Sequence, residues 1–257
     1  MPDAPLSRRA LFGLGLGRLS SAFGTDPPKA PRPPEAAALD PERLAFEQAD
    51  LHALTAEPAA ALASVAPPLP GEDLLVVRGG GLEDAFTEHD GLVAVVEPAE
   101  LEDLPFDDGE LDRAIAPFAP VYAPHPRAAL RELARVVRGG GHLAVTAWTD
   151  HGAIGALLRA AANWDPEIDT RLAWGEEARM REELEPLAGA ISIHTRDVVA
   201  VVDEPAVAAE RALPPVAAAL SAFPGADANG LRAHAARLLG DQPDGRFLAV
   251  VAMLRRS

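Results

Sequence analysis

The sequence predicts an α/β fold built on a mostly parallel sheet, and three observations carry that expectation. Short runs rich in Val, Leu and Ile recur at 74–77, 91–98, 111–118 and 142–148, each of strand length. A strongly two-faced helical pattern, "HPRAALRELARVVRGGG" (125–141), lies between two of these runs, and strands alternating with helices imply a sheet with right-handed crossovers. "HLAVTAW" (142–148) is almost continuously apolar, as expected of a parallel strand covered on both faces.

The bounds agree with that architecture. A chain of 257 residues, 48% hydrophobic and 24% charged, is one large domain or two small ones with a real core. Its net charge of −16 repels a phosphate backbone or an anionic membrane, so no nucleic-acid partner is expected. There is no cysteine, which excludes disulfides, thiolate metal sites and cysteine nucleophiles. No apolar run reaches the ~18 residues that span a bilayer.

Residues 1–38 read as a basic arm and a linker. "SRRALFGLGLGRLSSAFG" places Arg8 and Arg9 before a Gly/Leu stretch and resembles a twin-arginine export signal. Arg18 interrupts the apolar stretch early and "SSAFG" matches a cleavage site only loosely, so a cytoplasmic chain is the first expectation and export the alternative. "TDPPKAPRPPE" (25–35) holds five prolines, which favour an extended linker.

From 39 onward the elements follow in order. Asp40 caps a helix with Pro41 at its first position, and Pro58 divides that helix. "DLLVVRGGG" (73–81) is a short strand closed by Gly79, Gly80 and Gly81, a turn that suits a nucleotide but equally any tight surface bend. "GLVAVVEP" and "LDRAIAPF" supply two more strands. In the helix that follows, Ala129, Leu130, Leu133, Val136 and Val137 share one face and Arg127, Arg131 and Arg135 the other, with Pro126 at the start and Gly139 as the stop.

"LPFDDGELDRAI" (104–115) followed by "PHPRAALRELARVVRGGGHLAVTAW" (124–148) resembles the second half of class I S-adenosylmethionine-dependent methyltransferases of the type 11-like domain. The family runs a Leu-Pro-Phe loop into its fourth strand, then a helix, then a Gly-Gly turn into its fifth strand. "AISIHTRDVVAVVDEPAVAAER" (190–211) and "RFLAVVAMLRR" (246–256) are similar to its last two strands. The likeness covers about Ala45 to Ser257 and is weakest over 74–104. It implies a Rossmann-like, mostly parallel sheet with an antiparallel C-terminal hairpin. It also implies S-adenosylmethionine as cofactor and a small molecule as methyl acceptor, or a methyltransferase-fold module that binds or regulates without catalysis.

The resemblance assigns site residues as follows. Gly79 and Gly81 fall on the turn beside the methionine part of the cofactor, whereas Leu75, Val77 and Arg78 replace the family's acid, first glycine and turn residue. Leu104 and Phe106, with Pro105, wall the adenine, and Glu102 meets its amino group. The step from Gly81 to Leu104 is too short for two strands and two helices, so one edge β-α unit is missing. If "GLVAVVEP" is the second strand, Glu97 holds the ribose hydroxyls. In a rival register it is the third strand, and Glu97 or Glu100 approaches adenine.

The other chemistry is sparse. Arg113 sits where a central strand is normally apolar and must find a partner, with Asp112, Asp108 and Glu110 as candidates. The seven histidines form no ligand-like cluster. His142 and His194 read as structural strand residues, His125 as a helix cap and His151 as a loop residue or a base. Trp148, Trp164 and Trp174 line a cavity or pack in the core. No nucleophile elbow supports hydrolase chemistry, and no catalytic residue or metal site is assigned.

Overall fold

The computed structural model describes residues 54–163, 171–200, 204–222, 226–240 and 242–255. The arm and linker, the cap at Asp40 and Pro41, and Trp164 lie outside the described residues. Helix α1 (Ala56–Val65) has Pro58 in its first turn, where its missing N–H is one of the helix's unpaired donors in any case. Strands β1 (Leu74–Val77) and β2 (Val93–Val96) follow. β3 (Leu111–Ala116) leads into the single-turn helix α2 (Ala119–Tyr122), and α3 (Pro126–Val136) precedes β4 (Val137–Trp148). Then come α4 (Gly152–Ala162), α5 (Glu177–Leu184), β5 (Ala188–Val199), α6 (Pro205–Ala212), α7 (Pro214–Ala222), α8 (Ala226–Leu239) and β6 (Asp244–Leu254).

The six strands form one sheet in the order β2-β1-β3-β4-β6-β5. β2, β1, β3 and β4 are mutually parallel, and β6 runs antiparallel to both β4 and β5. This is the expected Rossmann-like sheet with an antiparallel C-terminal strand pair. β2 lies directly against β1, with Leu74 opposite Val93 and Val77 opposite Val96, so it is the second strand and the rival register is overturned. Every residue of β1 is fully buried, since both its edges are paired and both its faces are covered.

Two elements differ from expectation. The glycines at 139–141 do not stop the helix, because α3 ends at Val136 and β4 starts at once, running through all three. The strand shifts register against β3 between Leu111 and Arg113. There a Cβ on Gly141 would lie 2.3 Å from the Asp112 carbonyl oxygen, so glycine allows the two backbones to approach. The strand-like run through Arg211 is also shorter than expected: β5 ends at Val199 and Pro205 opens α6, the first of three helices described between the paired strands β5 and β6.

Arg113 finds neither Asp112, Asp108 nor Glu110. Its Nε donates to Glu72 Oε2 at 3.0 Å and its Nη1 to the Ala66 carbonyl at 3.4 Å. Glu72 Oε2 also accepts the Leu69 N–H at 2.8 Å, so the pair pins the loop between α1 and β1 to the amino end of the sheet. Asp112 instead takes the Asp73 N–H and pairs with Arg138, and the first of these bonds chiefly holds its carboxyl below the usual carboxylate range. The Arg113 and Glu72 side chains are 5% and 11% exposed, and a charge left alone at such depth is costly. Glu72→Ala is expected to lower stability by about 3–5 kcal/mol, read from the urea midpoint at unchanged slope, while Glu110→Ala leaves the midpoint within about 0.5 kcal/mol.

Candidate cofactor site

The carboxyl ends of β1 and β2 place the expected site residues side by side. After Val77 the chain turns through Gly79, Gly80 and Gly81, all at positive φ, and Gly81 opens a short 3-10 turn at Leu82–Phe86. The packing of α1 dictates at least part of this glycine content, since a Cβ on Gly80 would sit 2.6 Å from the Thr55 carbonyl oxygen. Val77 and Leu75, which replace the family's glycine and acid, are buried in the core.

Glu97 ends β2 and begins a second 3-10 turn, Pro98–Glu100, through a reciprocal capping box with Glu100. Its Oε1 accepts Arg78 Nε at 2.6 Å, and Arg78 Nη1 reaches Glu83 Oε1 at 2.9 Å. The residue that departs from the family turn is therefore bound to the carboxylate expected to hold a ribose. Both side chains are about half exposed, at 50% and 57%, so solvent screens the pair and either partner is easily exchanged.

The loop of residues 101–110 carries the other three assignments, and α3 organises it. Glu102 accepts both the N–H of His125, at 2.7 Å, and its Nδ1, at 2.9 Å. His125 stands at the N-cap of α3 without a capping side-chain bond of its own, so Glu102 does the tying that the sequence reading gave to the histidine. Leu104 is buried, and its N–H donates to Glu132 Oε1 at 3.1 Å. Phe106 is half-buried against the core and its carbonyl accepts Arg135 Nη1 at 2.8 Å. Leu104 and Phe106 thus line the loop's inner side, whereas Glu102 is turned towards helix α3.

The ends of β3 and β4 hold a feature that sequence reading missed. Phe118 follows β3 at φ 55, a left-handed conformation that costs a non-glycine residue roughly 1–3 kcal/mol. It is fixed there by its N–H donating to Thr146 Oγ1 at 3.0 Å and by stacking on Trp148 with ring centroids 4.8 Å apart. Tyr122 and Phe247 complete the cluster. Only the prolines on either side, Pro117 and Pro120, hinted at an irregular bend. Beside the cluster a cavity of about 10 Å³ is lined by Tyr122, Trp148, Leu158 and Arg171, among others, which is room for one water. The Tyr122 hydroxyl and Trp148 Nε1 have no partner among the described residues, and burial pushes the Tyr122 hydroxyl pKa up. Trp174 is likewise buried.

His142 and His194 lie on strands as expected; burial lowers the pKa of His142. His151 precedes α4, exposed, with Nδ1 2.8 Å from Asp150 Oδ1. Among the described residues no cluster of three metal-ligating side chains occurs, and no helix is long and apolar enough to cross a membrane.

Residues 82–145 match the family described as a methyltransferase domain, the resemblance already carried by the 104–148 motifs. The match includes Glu97, Glu102, Leu104 and Phe106 but begins after Gly79 and Gly81. An uncharacterized protein of Mycobacterium tuberculosis is 36% identical over 98 residues, 37% of this chain and 36% of that protein. A second from the same organism is 34% identical over 83 residues, 31% of this chain and 30% of its own length. The chain thus spans about a third of the curated relatives it matches. Among solved structures, the YcgJ protein of Bacillus subtilis aligns at 12% identity over 78% of this chain and 99% of its own, with a TM-score of 0.47. The Haemonchus contortus phosphoethanolamine N-methyltransferase 2, solved with phosphomonomethylethanolamine and S-adenosylhomocysteine, aligns at 13% identity over 78% of this chain and 53% of its own, TM-score 0.46.

The Arg135 guanidinium, bonded to Glu132 at 2.6 Å, holds the Glu132 carboxyl below the usual carboxylate range. A lowered folded-state pKa means the tie is complete above the ordinary glutamate value of ~4.3 and is lost as pH falls through the lower folded value. Glu132→Gln is expected to speed amide exchange at Leu104 about tenfold at neutral pH. Wild type should approach the variant's rate, corrected for intrinsic exchange, only in acid.

Proposed function

We propose that this chain, whose residues 82–145 match the methyltransferase-domain family, is an S-adenosylmethionine-dependent methyltransferase acting on a small molecule. The observation that carries the reading is the position of Glu97: a half-exposed carboxylate at the end of β2, beside the glycine turn that closes the neighbouring β1. Two ribose hydroxyls are natural partners for such a carboxylate. In this reading Glu97 holds the ribose, Gly79 and Gly81 let the backbone approach the methionine part, and Leu104 and Phe106 wall the adenine. Glu102, whose two oxygens each meet His125, keeps acceptor capacity for the adenine amino group.

The bound cofactor would supply an electrophilic methyl group on a sulfonium. The chain's own part is positional: it orders the nucleoside, keeps Arg78 off the sulfonium by engaging it with Glu83, and excludes water at the aromatic end of the sheet. That division of labour needs no dedicated base, and none is assigned.

A second reading, a methyltransferase-fold binding or regulatory module, is favoured by one specific contact. Arg78 already satisfies Glu97, and a ribose must displace it. Because the pair is screened, the expected handicap is about fivefold in affinity or less.

Calorimetric titration with S-adenosylmethionine separates the readings. Micromolar binding by the intact chain is expected, tightened up to about fivefold in Arg78→Ala and weakened about tenfold or more in Glu97→Gln. No heat and no thermal shift at millimolar ligand, in both the intact chain and Arg78→Ala, would overturn the enzyme reading in favour of the module.

A further inference from the structure

β2 is an edge strand, with no further strand on its outer side among the described residues. The Leu74 N–H bonds to the Leu92 carbonyl and the Arg78 N–H to the Val96 carbonyl. In a parallel ladder this parity turns the even-numbered residues of β2 towards β1 and the N–H and C=O of Val93 and Val95 outward. Neither residue has a backbone partner on that side among the described residues. The next outward donor, the Glu97 N–H, is taken by Glu100 at 2.7 Å. Two donors and two acceptors are therefore presented in register.

Proteins normally blunt such an edge with charge, proline or a bulge. The opposite edge, β5, does so with His194, Arg196 and Asp197. β2 reads Val-Ala-Val-Val, with none of these devices. Val95 and the neighbouring Leu92 are 40% and 53% exposed, so the open backbone is flanked by uncovered apolar surface.

The charge around the edge states what fits it. Between Gly79 and Asp112 the sequence holds twelve Asp and Glu and neither Lys nor Arg. Glu83, Glu97, Glu102, Asp108 and Asp112 meet Arg78, His125, Arg135 or Arg138. Asp84, Glu88, Asp90, Glu100, Asp103, Asp107 and Glu110 are all exposed, and none faces a cation among the described residues. Glu88 and Asp90 precede β2, and Glu100 and Asp103 follow it. A second copy of this chain would bring the same carboxylates face to face, whereas a segment with basic ends would meet opposite charge at each end.

We infer that the outer edge of β2 is a docking site for an extended polypeptide segment of another protein, apolar and β-branched at its centre and basic at both ends, which adds to the sheet as a seventh strand. Main-chain bonds to Val93 and Val95 supply the docking, Leu92 and Val95 the apolar contact, and the flanking carboxylates the choice of partner and a salt-dependent association rate. The inference does not depend on cofactor binding.

The test uses the intact chain and a fluorescein-labelled peptide, Lys-Arg-Val-Thr-Val-Thr-Val-Arg-Lys, followed by fluorescence anisotropy. Micromolar binding is expected, at least tenfold weaker when the central valine of the peptide is proline and weaker in 0.5 M than in 0.05 M salt. On the protein side, Val95→Pro removes an outward N–H while sparing every bond to β1 and should cost at least tenfold. The peptide variant keeps the test valid where Val95→Pro disturbs the fold. Equal binding of the proline peptide would reduce the interaction to charge adsorption and overturn the inference. So would failure of the intact chain to bind, or a dimer in sedimentation that Val95→Pro dissolves.

Discussion

The arrangement depends on β1 being held from both sides. Four aliphatic residues, Leu74 to Val77, are entirely covered, and their ladders to β2 and β3 run parallel. Burying four such side chains contributes roughly 6–12 kcal/mol before conformational entropy is set against it. Because the strand cannot slip by one residue without exposing that surface, its end is fixed in space. Arg78 and the glycine turn are delivered beside Glu97 by this constraint rather than by any contact at the site itself. The buried Glu72–Arg113 pair acts at the other end of the same strand, setting where the chain enters it.

Fixing the ends of β1 and β2 also explains how the sheet tolerates being short. An edge unit has no neighbour on one side, so its absence removes one ladder and leaves every inner strand paired. The return from β2 to β3 is made by two tight pieces instead: the capped turn at Pro98–Glu100, and the loop to Glu110, clamped by Glu132 and Arg135 of α3 through Leu104, Phe106 and Asp108. Those clamps are why the loop keeps its shape without a strand and helix behind it. Glu102 is tied separately, to His125 at the start of α3.

Much of this was legible in the sequence where a periodic pattern or a special residue carried the signal. The face of α3 formed by Ala129, Leu130, Leu133 and Val136 is the buried one. Counting residues between Gly81 and Leu104 left two strand registers open, and the pairing of β2 with β1 chooses between them. What escaped is tertiary. Nothing local in Arg113 distinguishes Glu72 from three nearer carboxylates, because the partner lies 41 positions away and is brought in by the loop before β1. The glycines at 139–141 look like a helix stop in one dimension and act as a clearance for the Asp112 carbonyl in three. Phe118 carries no mark of its left-handed backbone, which only Thr146 and the rings around it impose.

The proposed function and the inferred docking site give two parts of β2 different duties. At its carboxyl end the screened ion pair between Arg78 and Glu97 would set a low threshold for exchange with hydroxyl groups. Its outer flank presents amides that have no partner among the described residues, within a ring of carboxylates that no lysine or arginine between Gly79 and Asp112 offsets. A strand added there would lie against β2 itself, along the backbone that carries Glu97. A partner on the flank would stiffen the strand that positions the carboxylate, and a ligand on the carboxylate would order the strand that the partner pairs with. Whatever coupling exists between them is reciprocal by linkage, and it needs no pathway longer than the four residues from Val93 to Val96.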